Sequence, residues 1–355
     1  MTSTAVDSAA PAESAPRSGA GRVTRNSGRA LGLVIALLIL AAVALASLAL
    51  GSKGIPLETV IDALLHDRGT DESYIIRDMR VPRTVLGLLV GAALGLSGAL
   101  VQALTRNPLA DPGILGVNAG AGLAVTVGVG FFGVSSIQGY LWFAFAGAII
   151  VTVVVYALGS VGRAGATPIR LTLVGVAFGA VLGGISQAIT LLNPQAFDSM
   201  RQWSAGSLVG RGWDIIGVVT PAIILGILIA IVASRALNAI ALGDDLARSL
   251  GAHIMRTRVL VIIALTLLAG AATAAAGPIG FVGLMVPHVA RWIIGPDQRW
   301  IVLYTLVCAP ILLLVSDIVG RLVLSPQELQ VGIVTAFIGA PVLILLARRS
   351  KVSGL

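Results

Sequence analysis

Charge is scarce in this chain, and that scarcity excludes more than any motif does. Asp, Glu, Lys and Arg together make up 11% of 355 residues, against 57% hydrophobic residues, a balance that no water-soluble core of this length requires. Lysine occurs only as Lys53 and Lys351, neither in a Gly-Lys-Ser/Thr context, so no phosphate-cradling loop is present. His66, His253 and His288 lie in separate segments and make no metal-ligand set. The single Cys308 excludes an internal disulfide and sits in an apolar run, where it reads as a small core residue. No Ser/His/Asp arrangement with a nucleophile elbow appears. The chain is therefore expected to catalyse nothing covalent and to bind no cofactor or metal of its own.

What is present is hydrocarbon. A membrane-crossing helix needs about 20 mainly apolar residues, and about ten such runs can be marked: 31–50, 84–104, 114–132, 140–159, 171–192, 215–234, 259–276, 278–294, 301–317 and 332–347. The runs are continuous rather than alternating, which excludes an outer-membrane barrel and predicts an all-α polytopic membrane protein. The segments near 114 and 278 are short enough to be broken or re-entrant. Gly87, Gly91 and Gly95 fall four apart, as do Gly175, Gly179 and Gly183. Each set makes a smooth helix face, read first as close packing.

Basic residues set the orientation. With the N-terminus inside and ten crossings, the inner segments hold 16 of the 24 Lys+Arg, which predicts both termini in the cytoplasm. The formal charge of +8 then reflects topology, and no soluble basic face for nucleic acid exists. Residues 1–29, rich in Ala, Ser, Gly and Pro, are expected to form a disordered cytoplasmic tail, and 30–350 a single transmembrane domain. The first apolar run is too long for a usual signal peptide and reads as an uncleaved span.

Four polar interruptions stand out. The stretch QALTRNPLADPGILG, residues 102–116, places Pro108 and Pro112 between two apolar runs. Prolines there prevent a regular helix, which a membrane tolerates only beside protein or a watery cavity; a tight turn with Asp111 satisfying its own backbone fits the same residues. Residues 234–258 form the longest inner loop after the tail. Within an element at about 238–251, Leu242, Leu246 and Leu250 share a face, Asp244 is placed to cap a short helix, Gly243 and Gly251 punctuate it, and Asp245 and Arg248 add charge. Such an element suits either a membrane surface or a partner's groove. Finally, the outer segment 51–82 contains PLETVIDALLHD, an expected interfacial helix with Val60, Ile61, Leu64 and Leu65 on its apolar face. The outer segment 193–214 holds Arg201, Gln202, Trp203 and Trp213, the tryptophans read as interfacial anchors. Its polar residues, with Asn193 and Gln195, beside Ser186, Gln187 and Thr190 are where a cargo touching the passage is expected. The acids Asp111, Asp198, Asp214 and Asp317 gather at span ends, which weakens an ion-coupled carrier, since such carriers need ionisable groups in mid-span.

The phrases MRVPRTVLGLLVGAALGLSGALVQALTRNPLADPGILGVNAGA, ARSLGAHIMRTR and GPIGFVGLMVPHVARWIIGPDQRW resemble the iron-siderophore and vitamin B12 permease family of bacterial ABC importers, in the same order from about residue 31 to 349. The resemblance implies a type II ABC importer permease fold in the bacterial inner membrane. It implies a second permease subunit alongside, a homologous different chain being favoured over an identical copy. Two cytoplasmic ATPases that bind ATP and magnesium would lie below, and an extracytoplasmic siderophore-binding protein above. Asn107, Pro108 and Leu109 then correspond to the cytoplasmic gate. The 238–251 element (Leu242, Gly243, Asp245, Leu246, Arg248, Leu250, Gly251) becomes the ATPase coupling surface. Arg80, Arg83 and Arg321 receive acidic residues of the binding protein; Asp317 and Arg321, at i and i+4, also satisfy a simple helix pair. The expected cargo is a ferric siderophore, with haem, a corrinoid or an ion-coupled carrier as alternatives.

Overall fold

Ten apolar helices and four short ones build the molecule, as described by a computed structural model that covers residues 26–161, 167–249 and 251–348. Seven helices are long and apolar enough to cross a membrane: α1 (Asn26–Ala49), α4 (Val81–Thr105), α6 (Ile137–Ser160), α7 (Pro168–Leu192), α9 (Trp213–Ala241), α11 (Ile254–Ala276) and α13 (Gln298–Val323). Three shorter apolar helices accompany them: α5 (Val117–Phe132), α12 (Val282–Ile294) and α14 (Val331–Arg348). The remaining four α-helices are α2 (Leu57–Leu65), α3 (Asp71–Tyr74), α8 (Pro194–Trp203) and α10 (Asp244–Ser249), and a π-helical turn, Ile75–Arg80, joins α3 to α4 in one helical stretch, Asp71–Thr105. No strand occurs among the described residues.

Each expected span contains one helix, with ends displaced for identifiable reasons. α9 runs on to Ala241 because Arg235–Ala241 holds no glycine or proline, and the turn waits for Gly243 at φ 110°. α13 extends to Val323 because Asp317 and Arg321, which look like an end signal in sequence, are buried and paired within the fold. The expected tail needs one correction. Residues 1–25 lie outside the described region, but Asn26–Arg29 already belong to α1. They are held there by the Tyr304 hydroxyl, which donates to the Arg29 carbonyl at 2.7 Å.

α4 occupies the centre, against α9, α11, α12 and α13. Lipid tails are as apolar as leucine, so close backbone approach does the work that water does in soluble cores. The glycines permit it. A Cβ at Gly91 would stand 2.6 Å from the Pro310 Cα, and one at Gly98 would stand 1.8 Å from the Gly283 carbonyl oxygen of α12. α5 and α6 meet in the same way, Gly120 against Gly147.

α12 has only 13 residues, about 20 Å of helix, against a hydrocarbon core of about 30 Å. It is preceded by the non-helical segment 277–281, with Gly277 at φ 75° and Phe281 at φ 68°. Its backbone is covered by protein: Ser207 N donates to Ala276 O at 2.7 Å, and the Trp203 and Pro278 carbonyls lie against Gly277 and Gly206. The expected broken segment is thus real, and α8 with the following residues 204–212 is what shelters it.

Candidate functional site

The two ends of the bundle differ chemically. At the end carrying α10, α4 stops at Arg106, whose left-handed backbone (φ 51°) turns the chain into the proline-interrupted loop. Asn107 Oδ1 accepts from Leu109 N at 2.9 Å, and Asp111 Oδ1 accepts from Gly113 N at 2.8 Å, capping a 3-10 turn over Pro112–Leu115. Burial pushes the Asp111 carboxyl above its usual range, and the Gly113 N–H partly offsets this. Asn107 therefore bonds within its own loop, and Leu109 is left partly exposed at the tip. The tight-turn reading of this stretch is the geometry observed.

Asp244 joins that loop to α10. Its Oδ1 accepts from Arg106 Nη2, and its Oδ2 accepts from Arg258 Nη2 at 2.8 Å. The expectation that Asp244 caps α10 is therefore corrected, because both carboxylate oxygens are held by arginines of other elements. Desolvation raises its pKa, but Arg258 and Arg106 outweigh that and hold it below the ordinary carboxylate value. Ala247 anchors α10 on Ile240 and Ile254, which turns Leu242 and Leu246 outward as two exposed apolar side chains. Asp245 and Arg248 pair with each other at 2.9 Å on the surface, and Gly251 takes a positive φ of 80°. Leu250 lies outside the described residues. Sequence spacing identified the leucines, but Asp244 as a three-way tie was not legible, since Arg106 is 138 residues away.

At the opposite end, which carries α8, the three arginines expected on the surface are buried. Arg83 donates to Asp317 at 2.8 Å and to Glu328 at 2.7 Å. Arg321 pairs with the same Asp317 at 2.5 Å and donates to the Ser47 carbonyl at 2.8 Å. Arg80 reaches the carbonyls of Leu48 and Ala49 at 2.7 and 2.9 Å and that of Lys53 at 2.5 Å. These side chains form a buried network that ties α1, α4 and α13 together, and it includes the Asp317–Arg321 pair expected from their i, i+4 spacing. They nevertheless line a notch of about 170 Å³ with Lys53 and Glu328. Within that group Arg80 meets only carbonyl oxygens, so the notch retains excess positive charge.

The expected pathway residues divide. Ser186 shares a 3.0 Å hydrogen bond with Thr126, Thr190 donates to the Ser186 carbonyl at 2.7 Å, and Gln187 is exposed. All three lie on α7, whose outer face has little protein against it. Trp213 is exposed as expected of an anchor, but Trp203 is 5% exposed and belongs to the core. It is held there by α5 and by the sheltered 277 segment. Of the outer loop helix α2, Val60 and Ala63 face protein while Ile61 and Leu65 are exposed. No cluster of three or more potential metal ligands occurs among the described residues.

A family model described as the FecCD transport family matches residues 37–349. The ferric enterobactin transport system permease protein of Escherichia coli (strain K12) is 49% identical over 323 residues, 91% of this chain and 96% of that one. A probable siderophore transport system permease protein of Bacillus subtilis (strain 168) is 39% identical over 325 residues, 92% and 98% of the two chains. Among solved structures, a chain of a metal-chelate type ABC transporter in an inward-facing conformation superposes with a TM-score of 0.79 at 26% identity, covering 90% of this chain and 99% of that one.

Proposed function

This chain belongs to the FecCD transport family, and from that premise we propose that it is the permease subunit of an ATP-driven importer that carries a ferric siderophore across the bacterial inner membrane. The observation that carries the reading is the unbroken likeness to siderophore permeases over nine-tenths of the chain. The α10 end is the cytoplasmic one in this proposal, with both termini there, in keeping with the excess of arginine on that side.

The subunit works with a second, homologous permease, two ATPases that bind and hydrolyse ATP with magnesium, and an extracytoplasmic binding protein. Docking of the ATPase falls to the 238–251 element, where Leu242 and Leu246 are knobs for an apolar groove. The Asp244 tie supports a route from that surface to the Asn107–Leu109 loop, because the same carboxylate is held from both sides. Leu109 from two permeases would close the inner mouth. At the other end, the positively charged notch at Arg80, Arg83 and Arg321 suits an acidic side chain of the binding protein, which gives orientation and speed of encounter more than affinity. Between the two ends the cargo meets small and apolar walls that bind weakly, as passage requires.

The test is affinity capture of this chain from gently solubilised membranes of iron-starved cells, followed by mass spectrometry and by ATP-driven uptake of ferric siderophore into proteoliposomes of the recovered complex. Recovery of a P-loop ATPase with ATP-dependent uptake is the expected result. A chain that purifies alone and moves cargo with an ion gradient would establish a secondary carrier, and uptake of haem or a corrinoid instead would reassign the cargo.

A further inference from the structure

A cavity of about 770 Å³ opens at the α8 end between α6, α8, the 204–212 segment and the start of α14. That volume lies within the range of about 300–1,000 Å³ usual for small-molecule sites. Its wall carries two aromatic residues, Tyr140 and Trp203, two amides, Gln202 and Gln330, and two guanidiniums, Arg201 and Arg211. Asp198 is the only acidic residue of the lining. It stands 3.7 Å from Arg201, and both side chains are 68% exposed, which makes a weak pair that opens at little cost.

Arg211 is different. Its Nε donates to the Ala275 carbonyl at 2.8 Å, fixing the guanidinium against the end of α11, and it forms no ion pair with any carboxylate among the described residues. It is half-buried, and burial disfavours its charge. A desolvated cation held in place at the wall of a cavity is satisfied when an anion enters. Ser199 and Ser207 add hydroxyls to the same wall.

We propose that this cavity is an outer waiting station selective for anionic ferric chelates of the tris-catecholate class, with Arg211 the fixed cation and Arg201 the mobile one. Three catecholate dianions around one ferric ion leave a trianion, whereas a ferric tris-hydroxamate is neutral; the first matches two guanidiniums and the second does not. The aromatic wall accepts the flat catechol rings, and Gln202 and Gln330 are neutral donors for their oxygens. The inference rests on the proposal that the cargo is a ferric siderophore, and it adds the charge class and the residues that select it.

The experiment uses the complete importer in proteoliposomes, with two probes labelled with radioactive iron: a ferric tris-catecholate and a neutral ferric tris-hydroxamate. Equilibrium binding is measured without nucleotide, and uptake with ATP and binding protein. Wild type is expected to bind the trianion in preference to the neutral chelate. Arg211→Gln should weaken binding of the trianion by about tenfold, the scale of one lost charge-assisted contact, while Arg211→Lys keeps most of it. Gln330→Glu, which adds a negative charge without removing a packing contact, should weaken it to a similar extent and serves as the test if Arg211→Gln does not assemble. Equal binding of both probes by wild type, or unchanged binding of the trianion in both Arg211→Gln and Gln330→Glu, overturns the station while leaving ATP-driven uptake of the trianion intact. Absence of ATP-driven uptake of any ferric chelate by wild type removes the proposed function, and the station with it.

Discussion

Helices α4 and α7 carry the same glycine spacing and lie in opposite surroundings. In α4 the glycines meet α12 and α13 at distances no side chain could enter, and 83% of the most apolar window of the Asp71–Thr105 helical stretch is buried. In α7 the corresponding share is 17%, and a Cβ at Gly183 would meet nothing within 4 Å. The ends differ as well. α4 is pinned by Arg83 to Asp317 at one end and by Arg106 to Asp244 at the other, whereas Arg170 of α7 donates, among the described residues, only to the Val161 carbonyl. A glycine stripe therefore specifies a smooth surface and not what lies against it. One stripe serves the interior of this chain throughout; the other meets Ile114 at Gly175 and Ala119 at Gly179 and is open at Gly183, free there for lipid or a neighbouring subunit.

The contrast can be broken most severely at Asp317. Asp317→Asn leaves Arg321 buried without its counter-charge and Arg83 with Glu328 alone, and a loss of about 3–5 kcal/mol is expected, read as failure of the chain to accumulate in the membrane or as a large fall in Tm of the purified complex. Wild-type stability of that variant would mean that α4 is not pinned at this end. Next comes Gly98→Val, whose new Cβ would fall 1.8 Å from the Gly283 carbonyl oxygen. Overpacking of this kind costs about 1–3 kcal/mol or more, measurable in the same thermal assay. Gly175→Val tests the one tight point of α7, where a Cβ would stand 1.8 Å from the Ile114 carbonyl oxygen; a smaller loss within that range is expected, with siderophore uptake falling because the turn next to the Asn107–Leu109 loop is displaced.

Asp244→Asn should cost about 1 kcal/mol or less, since the pair is partly exposed, yet lower uptake per ATP hydrolysed. The pH dependence has a definite sign. A carboxylate whose folded pKa is depressed contributes stability above its unfolded value and loses it as pH falls through the folded one. The Asp244 contribution is thus full at neutral pH and disappears only on the acid side of the ordinary carboxylate range, where the asparagine variant should show no such loss. The smallest effect on folding belongs to Gly183→Val: a change within about 0.5 kcal/mol, with any defect appearing instead in co-purification of the second permease. A fall in Tm comparable to that of Gly98→Val would erase the distinction between the two helices.

Much of the fold is legible in the residues themselves. Ten apolar runs correspond to ten helices, and the short run near 278 is a broken segment, because hydropathy and helix breakers are local properties. The site is legible only in part. Leu242 and Leu246 follow from spacing along one helix, but the orientation that exposes them comes from Ala247 seating on Ile240 and Ile254. The Asp317–Arg321 pair is legible from its i, i+4 spacing, but Arg83 looks like a surface charge because Asp317 lies 234 residues from it. Trp203 looks like an interfacial anchor because nothing in its neighbourhood announces the chain that covers it. Arg211 carries no local signal at all; its importance comes from a carbonyl 64 residues away and from its having no ion pair among the described residues.

The sequence by itself determined that this protein lives in a bilayer, how many times it is helical, where proline and glycine interrupt it, and to which family it belongs. These depend on the free energy of transferring each stretch from water to hydrocarbon and on backbone preferences, both read within a few residues. Only the tertiary structure decided which glycine face is interior, which arginines are spent on holding helices together, and which one stands at a cavity wall with no ion pair among the described residues. Those outcomes depend on what packs beside each group, and in a membrane that neighbour is set by fit between distant segments, because lipid supplies no preference of its own.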